Sequence, residues 1–181
     1  MRAHEGTARR YAKALHSIAR ESGTATAVAA ELDGFLEVFQ AQAEARAVLT
    51  RPWLKGSDRR GIAVAVADKA GCAKLMRDFV GLLAERGRMD HLPEIAAAYR
   101  ALVDEELGQA RAVVRAAAPL TPAARGELSG HLARALGKRI LLDEHVDQSL
   151  LGGFVAQVGS FILDGSLDGQ LARMRERLAR G

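Results

Sequence analysis

The chain has 181 residues, with 26 Lys and Arg against 22 Asp and Glu for a net charge of +4, a near balance that excludes a polybasic nucleic-acid tail. A single cysteine, Cys72, excludes an internal disulfide framework and reads as a packing thiol in a helical run. Hydrophobic residues make up 49% and aromatics only 4%, with Ala and Leu dominant, which favours helix packing over an aromatic-rich sheet.

Taken in order, Thr7 is placed to cap a first helix reaching about residue 22. Its inward face is Ala8, Tyr11, Ala12, Leu15, Ile18 and Ala19, with Arg9, Arg10, Lys13 and Arg20 mostly off it. Gly23 ends it. Thr24 or Thr26 starts a second helix, with Val28, Leu32, Phe35, Leu36 and Phe39 inward. A short third helix over 44–49 stops before Arg51 and Pro52, because the residue before proline is pushed out of the α region. Ser57 is expected to cap a fourth helix over 58–70, with Ile62, Val66 and Ala70 on one side and Gly71 as its breaker. The fifth helix, 73–86, is apolar over much of its circumference: Leu75, Phe79, Leu82 and Leu83 form one stripe that Met76 and Val80 widen. Such a helix is covered on two sides, either as the centre of its own bundle or by meeting a partner helix. After Gly87 and Asp90–His91, Pro93 suits the first turn of a sixth helix with Ile95, Tyr99, Leu102 and Val103 inward.

Gly108 marks a change of character. Residues 110–117 read as a strand centred on Val113 and Val114, and Thr121 caps a helix over 122–136 that Gly137 ends. A second strand covers 139–145. The stretch from Val146 to Leu171 reads strand, bend, strand, turn, helix. Leu150–Leu151 and Phe154–Val158 flank Gly152–Gly153, and Phe161–Leu163 follows. Asp164–Gly165 is expected to supply a positive φ in the turn, with Ser166 as the N-cap of a last helix to about residue 179. The expected fold is mainly α, an N-terminal six-helix bundle over 1–107 followed by a small C-terminal α+β domain over 108–181.

No constellation for catalysis stands out. Gly137–Lys138 has Gly130 at the wrong offset for a phosphate loop, and Arg139 replaces the Ser or Thr that would reach magnesium. His145 lies beside Asp143, Glu144 and Asp147, but strand alternation splits that group over two faces. The five histidines show no metal-ligand pairing, and Ser149 and Ser160 lack a nucleophile elbow. Arg173, Arg175, Arg177 and Arg180 spread over more than one helix face with no aromatic nearby, against nucleic-acid binding. The opening residues lack the apolar core of a secretory signal. The longest uncharged run, 148–163, is shorter than the roughly 20 apolar residues of a membrane span. The expectation is a two-domain, non-enzymatic interaction protein without metal or cofactor.

The C-terminal stretch resembles the signature of the F-type ATP synthase delta subunit family, which includes the oligomycin-sensitivity-conferring protein. The matching residues are Asp147, Leu150, Leu151, Gly152, Gly153, Val158, Gly159, Ile162, Asp164, Gly165, Ser166, Gly169 and Leu171. Asp168 stands where the family often has a basic residue. At the other end, residues 8–15 are similar to the family's Arg-x-Tyr-Ala-Lys-Ala opening, and the run from Phe79 to Leu92, containing Gly87–Arg88, resembles its fifth helix and exit.

This resemblance implies a static linker between the catalytic head and the peripheral stalk. The N-terminal domain would take an amphipathic N-terminal helix of the α subunits in a groove between its first and fifth helices. Tyr11, Ala14, Leu15, Phe79, Val80 and Leu83 are the residues implied there. The C-terminal domain, built around Leu151, Gly152, Gly153, Gly159, Asp164, Gly165, Ser166 and Gly169, would dock the C-terminal ends of the stalk's b subunits. It also implies a peripheral place on the cytoplasmic face of a bacterial membrane, held there only through the complex. The rival expectations are a free-standing helical adaptor and a basic RNA-binding protein.

Overall fold

The structure, a computed structural model, describes residues 2–49, 54–159 and 161–180; the side chains of residues 2–5, 44, 45, 173, 176, 177, 179 and 180 lie outside that description. So do the expectations that rest on Arg51, Pro52 and Ser160 and on the side chains of Arg173, Arg177 and Arg180. The chain divides into two compact units, Met1–Val103 and Asp104–Gly181.

The first unit contains α1 (Arg2–Glu21), α2 (Ala25–Ala41), α3 (Ala43–Leu49), α4 (Gly56–Lys69) and α5 (Lys74–Glu85). A single 3-10 turn, Met89–His91, then leads into α6 (Leu92–Glu106), whose last residues fall in the second unit. Gly23, Gly71 and Gly87 stop their helices in the left-handed region at φ 67, 74 and 63°. In each case the following residue's N–H reaches back to a last-turn carbonyl, as Thr24 does to Ala19 at 2.8 Å and Arg88 to Leu83 at 2.8 Å.

Two helix starts differ from the sequence expectation. α1 begins upstream of Thr7, whose hydroxyl accepts from the Arg10 guanidinium at 3.4 Å instead of capping. α4 begins at Gly56, not after Ser57, with Lys55 at the cap position. Gly56 lies where α4 meets the end of α5, since a Cβ there would sit 3.0 Å from the Glu85 carbonyl oxygen.

One core joins α1 to α6. Along α1 the row Ala8, Ala12, Leu15 and Ala19 is fully inside, and Leu32, Phe35, Met76, Leu83, Ile95 and Tyr99 belong to the same core. Each fully buried Leu or Met adds about 1.5–3 kcal/mol of apolar burial. α5 is the central helix: Met76, Phe79, Val80, Gly81, Leu83 and Ala84 are all buried. Gly81 lets α4 come close, because a Cβ would stand 3.0 Å from Val64 Cγ2. Polar ties over long sequence separation fasten the helices. The Tyr99 hydroxyl donates to the Ala25 carbonyl at 3.0 Å, and Ala73 N–H, at the start of α5, donates to Glu31 of α2 at 2.8 Å. Cys72 is buried in this core, and burial, with Glu31 nearby, pushes its thiol pKa up, as suits a packing thiol.

The second unit is a four-stranded sheet with two helices: β1 (Gln109–Ala116), α7 (Pro122–Leu136), β2 (Arg139–Val146), β3 (Phe154–Val158), β4 (Phe161–Asp164) and α8 (Leu167–Arg180). The strand order is β2-β1-β3-β4. β1 pairs parallel with β2, the partner reached through α7, and antiparallel with β3, which hairpins into β4. Thr121 caps α7, its hydroxyl accepting from Ala124 N–H at 3.2 Å, and Gly137 closes it at φ 63°. The core of this unit is small: Ala112, Val114, Leu128, Leu132, Ile140 and Ala156. The expected strand piece at Leu150–Leu151 is instead a bend that follows a turn at Gln148 and Ser149. Asp147 sets that turn, accepting from Ser149 N–H at 3.0 Å and its hydroxyl at 2.6 Å.

Candidate functional site

On α1, the row next to the buried one is Thr7, Tyr11, Ala14 and Ile18, and its spacing keeps it on one face. Tyr11 is half-buried, Ala14 is exposed and Ile18 is 53% exposed, so Ile18 does not face inward as its spacing suggested. On α5 the corresponding row is Leu75, Phe79 and Leu82, with Leu82 38% exposed. The two rows meet where the Tyr11 and Phe79 rings pack edge to face, 6.5 Å between centroids. The structure thus joins Tyr11 to the largely buried Phe79 at an apolar seam, with Ala14 exposed one turn along the Tyr11 row. Leu15, Val80 and Leu83, expected at the same seam, are at most 1% exposed and belong to the core beneath it. Phe79 and Val80 are both buried, and the exposed side of α5 is formed by Lys74, Asp78, Leu82 and Glu85. Sequence reading placed Ile18 on the inward face, although its spacing from Tyr11 and Ala14 was the signal for the outer row, and left open whether the Leu82 stripe met the bundle or a partner helix.

In the second unit, the signature residues form a joint that holds the start of α8 against β3. Gly165 N–H donates to the Phe154 carbonyl at 3.0 Å, and Leu167 N–H donates to the Gly152 carbonyl at 3.0 Å. Asp164 Oδ1 accepts from Ser166 N–H at 2.9 Å and from its hydroxyl at 2.6 Å. That hydroxyl in turn accepts from Gly169 N–H at 3.1 Å, so Ser166 does cap α8.

Close approach explains the glycines here. A Cβ on Gly152 would stand 2.7 Å from Leu167 Cδ1, and one on Gly169 would collide with the Asp164 carboxylate. One on Gly153, at φ 78°, would collide with the Gly165 carbonyl oxygen. Gly165 itself is not at positive φ, contrary to the reading of the Asp-Gly pair. It is small because the Phe154 ring lies 3.2 Å from where its Cβ would be. The positive φ belongs to Gly153 and to Gly159, in the turn between β3 and β4. Asp168, the departure from the family pattern, accepts from Leu151 N–H at 3.2 Å and so adds to the joint.

Beyond the joint, α8 carries Leu167, Leu171, Met174 and Leu178 on one face, all exposed, Leu178 by 82%. None of the four belongs to either core. Leu151, whose N–H is bonded to Asp168 at the joint, is 71% exposed.

The acidic group near His145 splits as strand alternation requires. Asp143 and His145 pair on one face at 3.3 Å. Glu144, on the other, accepts from Leu120 N–H at 2.6 Å and from Arg125. The Leu120 N–H and then Arg125 hold its pKa below the usual carboxylate value. Asp147, held low by the Ser149 hydroxyl and N–H, faces Arg115. Among the described residues no group of three or more His, Cys, Asp or Glu is placed to hold a metal ion. Nor is any helix among them long and apolar enough to cross a membrane.

What the molecule offers is therefore two apolar surfaces on two units, a seam and a helix stripe, in a mainly helical chain that ends in a small mixed sheet. The chain belongs to the ATP synthase delta (OSCP) subunit family, whose sequence pattern matches residues 7–178. It is 38% identical to the ATP synthase subunit delta of Desulforapulum autotrophicum over 96% of this chain and 94% of that one. It is 39% identical to that of an Anaeromyxobacter species over 94% of this chain and 96% of that one. Among solved structures, a chain of the Toxoplasma gondii mitochondrial ATP synthase hexamer shares the fold. The TM-score is 0.75 at 18% identity, covering 95% of this chain and 97% of that one.

Proposed function

We propose that this chain is a non-catalytic stator subunit of a proton-translocating F-type ATP synthase, joining the catalytic head to the peripheral stalk so that the head does not turn with the rotor. In this reading α1 to α6 act as one six-helix bundle, the head-binding domain of residues 1–107. Its accessible seam takes an amphipathic N-terminal helix of the α subunits. Tyr11, Ala14 and Phe79 make the contact together with Ile18 and Leu82, while Leu15, Val80 and Leu83 form the floor beneath. The stalk-binding domain, residues 108–181, docks the C-terminal ends of the b subunits along the apolar face of α8. The protein would sit on the cytoplasmic face of a bacterial membrane through the complex alone.

The observation that carries this reading is the exposed stripe Leu167, Leu171, Met174 and Leu178, four large apolar residues on one helix face outside either core. Such a face is costly in water and marks an interaction surface. A static joint needs helix-in-groove burial at two separate places, not reactive groups.

The test is titration of the full chain with two peptides, one copying the α subunit's N-terminal segment and one the b subunit's C-terminal segment. Each should bind, and neither should compete with the other. Ile18→Asp should abolish the first contact and Met174→Asp the second, each leaving the other intact. Failure of both peptides to bind the folded chain would sink the reading.

A further inference from the structure

Near the Tyr11 end of the seam, an opening of about 310 Å³ is lined by Thr7, Arg10, Tyr11 and Arg88. Arg10 and Thr7 come from the first half of α1, and Arg88 follows the Gly87 stop of α5. Both arginines are exposed. Ion pairs of this unit engage other arginines, among them Arg60 with Glu85, Arg77 with Asp68 and Arg100 with Asp33. Among the described residues, no carboxylate pairs with Arg10 or Arg88, and Arg10 reaches only the neutral Thr7 hydroxyl. Two guanidinium groups thus border one small opening, and among the described residues no carboxylate pairs with either.

We infer that this opening is a carboxylate socket, which receives one Asp or Glu side chain of the helix docked along the seam. The inference rests on the docking reading above and adds the chemistry its partner must carry. Size selects the occupant: a helix is about 10–12 Å across with its side chains, far too wide for this opening, whereas one acidic side chain fits. Charge selects it too, because a carboxylate accepts from planar guanidinium donors in pairs, and an acid between Arg10 and Arg88 offsets both charges. The Tyr11 ring is a wall of the socket and also part of the apolar row. A helix lying on that row therefore brings a side chain to the socket without leaving the apolar contact. Before docking, a pair here would be solvent-screened and weak; the partner helix covers it and strengthens it.

The experiment is titration of the full chain with the α-subunit N-terminal peptide and with a copy in which every Asp and Glu is replaced by its amide. Arg88→Gln should weaken binding of the acidic peptide by about tenfold, and Arg10→Gln by a similar factor. The amide peptide should lose at least the same factor against the unaltered chain and less against Arg88→Gln, which keeps only the Arg10 contact. Binding of the acidic peptide should fall as salt rises, and Arg88→Gln should flatten that dependence. Equal affinity of the unaltered chain, Arg10→Gln and Arg88→Gln for the acidic peptide would overturn the socket and leave the seam standing. So would equal affinity of the unaltered chain for the two peptides. No binding by the unaltered chain, with its helical circular dichroism intact, would overturn the docking reading and the socket together.

Discussion

In Met1–Val103 the large apolar side chains go inward, and of those left exposed among the described residues only Ile18 and Leu82 belong to this unit. In Asp104–Gly181 the balance is reversed: Val113, Val146, Leu151, Phe161, Ile162 and the α8 stripe are all exposed around a core of small reach. With five other helices in its unit, α5 leaves Leu82 as its one exposed large apolar side chain. In the second unit α7 packs on the sheet core, while the apolar row of α8 lies outside it. The first unit is therefore held by packing. The second is held by local geometry, in hydrogen bonds and glycine contacts around Gly152–Gly153 and Asp164–Gly169, and keeps its apolar surface for a partner.

The sharpest way to break this contrast is to remove packing from the first unit. Leu83→Ala should destabilise it by about 2–5 kcal/mol, the range for a buried leucine that leaves a cavity, with the second unit's amides still protected from exchange. A loss of peptide binding without loss of stability would show that Leu83 is a contact residue instead. The complementary change is Gly153→Val, which places a β-branched side chain at positive φ against the Gly165 carbonyl. A cost of about 2–3 kcal/mol is expected. The readout is hydrogen exchange: the amides of Gly165 and Leu167, bonded to Phe154 and Gly152, should open while α5 stays protected. Gly165→Ala should cost less, since the opposing atoms are the edge of a ring that can shift.

Acid should reveal the second unit's dependence on polar contacts. The pKa of Glu144 is lowered by the Leu120 N–H and Arg125, so its contribution is present above the ordinary value of 4.5 and is lost as pH falls through the folded value. Asp147 acts in the same direction. Melting of the second unit should therefore fall with acidification below about that ordinary value, and Glu144→Gln should flatten the slope. An unchanged slope would remove Glu144 from the account. The smallest stability effect is expected for Leu171→Ser with Met174→Ser, within about 0.5 kcal/mol, because those side chains touch neither core. A large loss of melting temperature would mean that α8 is packed, and the stripe would no longer be available to a partner.

The helices and their stops were legible in the chain because they depend on neighbours within a turn or two. Gly23, Gly71, Gly87 and Gly137 end helices where the left-handed residue is needed, and the Thr121 and Ser166 caps act three residues away. The signature from Leu151 to Gly169 was legible as a pattern, but not its reason. Gly165 is small on account of Phe154, Gly152 on account of Leu167, and Gly153 carries the positive φ assigned to Gly165. Those are contacts between separate elements, and no local spacing encodes them. The same limit governs the seam. Helical spacing placed both rows of α1 on one broad apolar face. Only the packing of the other helices on α1, with α5 reaching it 68 residues later at the Tyr11–Phe79 contact, decided that Leu15 lies inside and Ile18 outside. Periodicity sets which residues share a face. Which face is covered depends on where distant helices pack, and that was decided by tertiary structure alone.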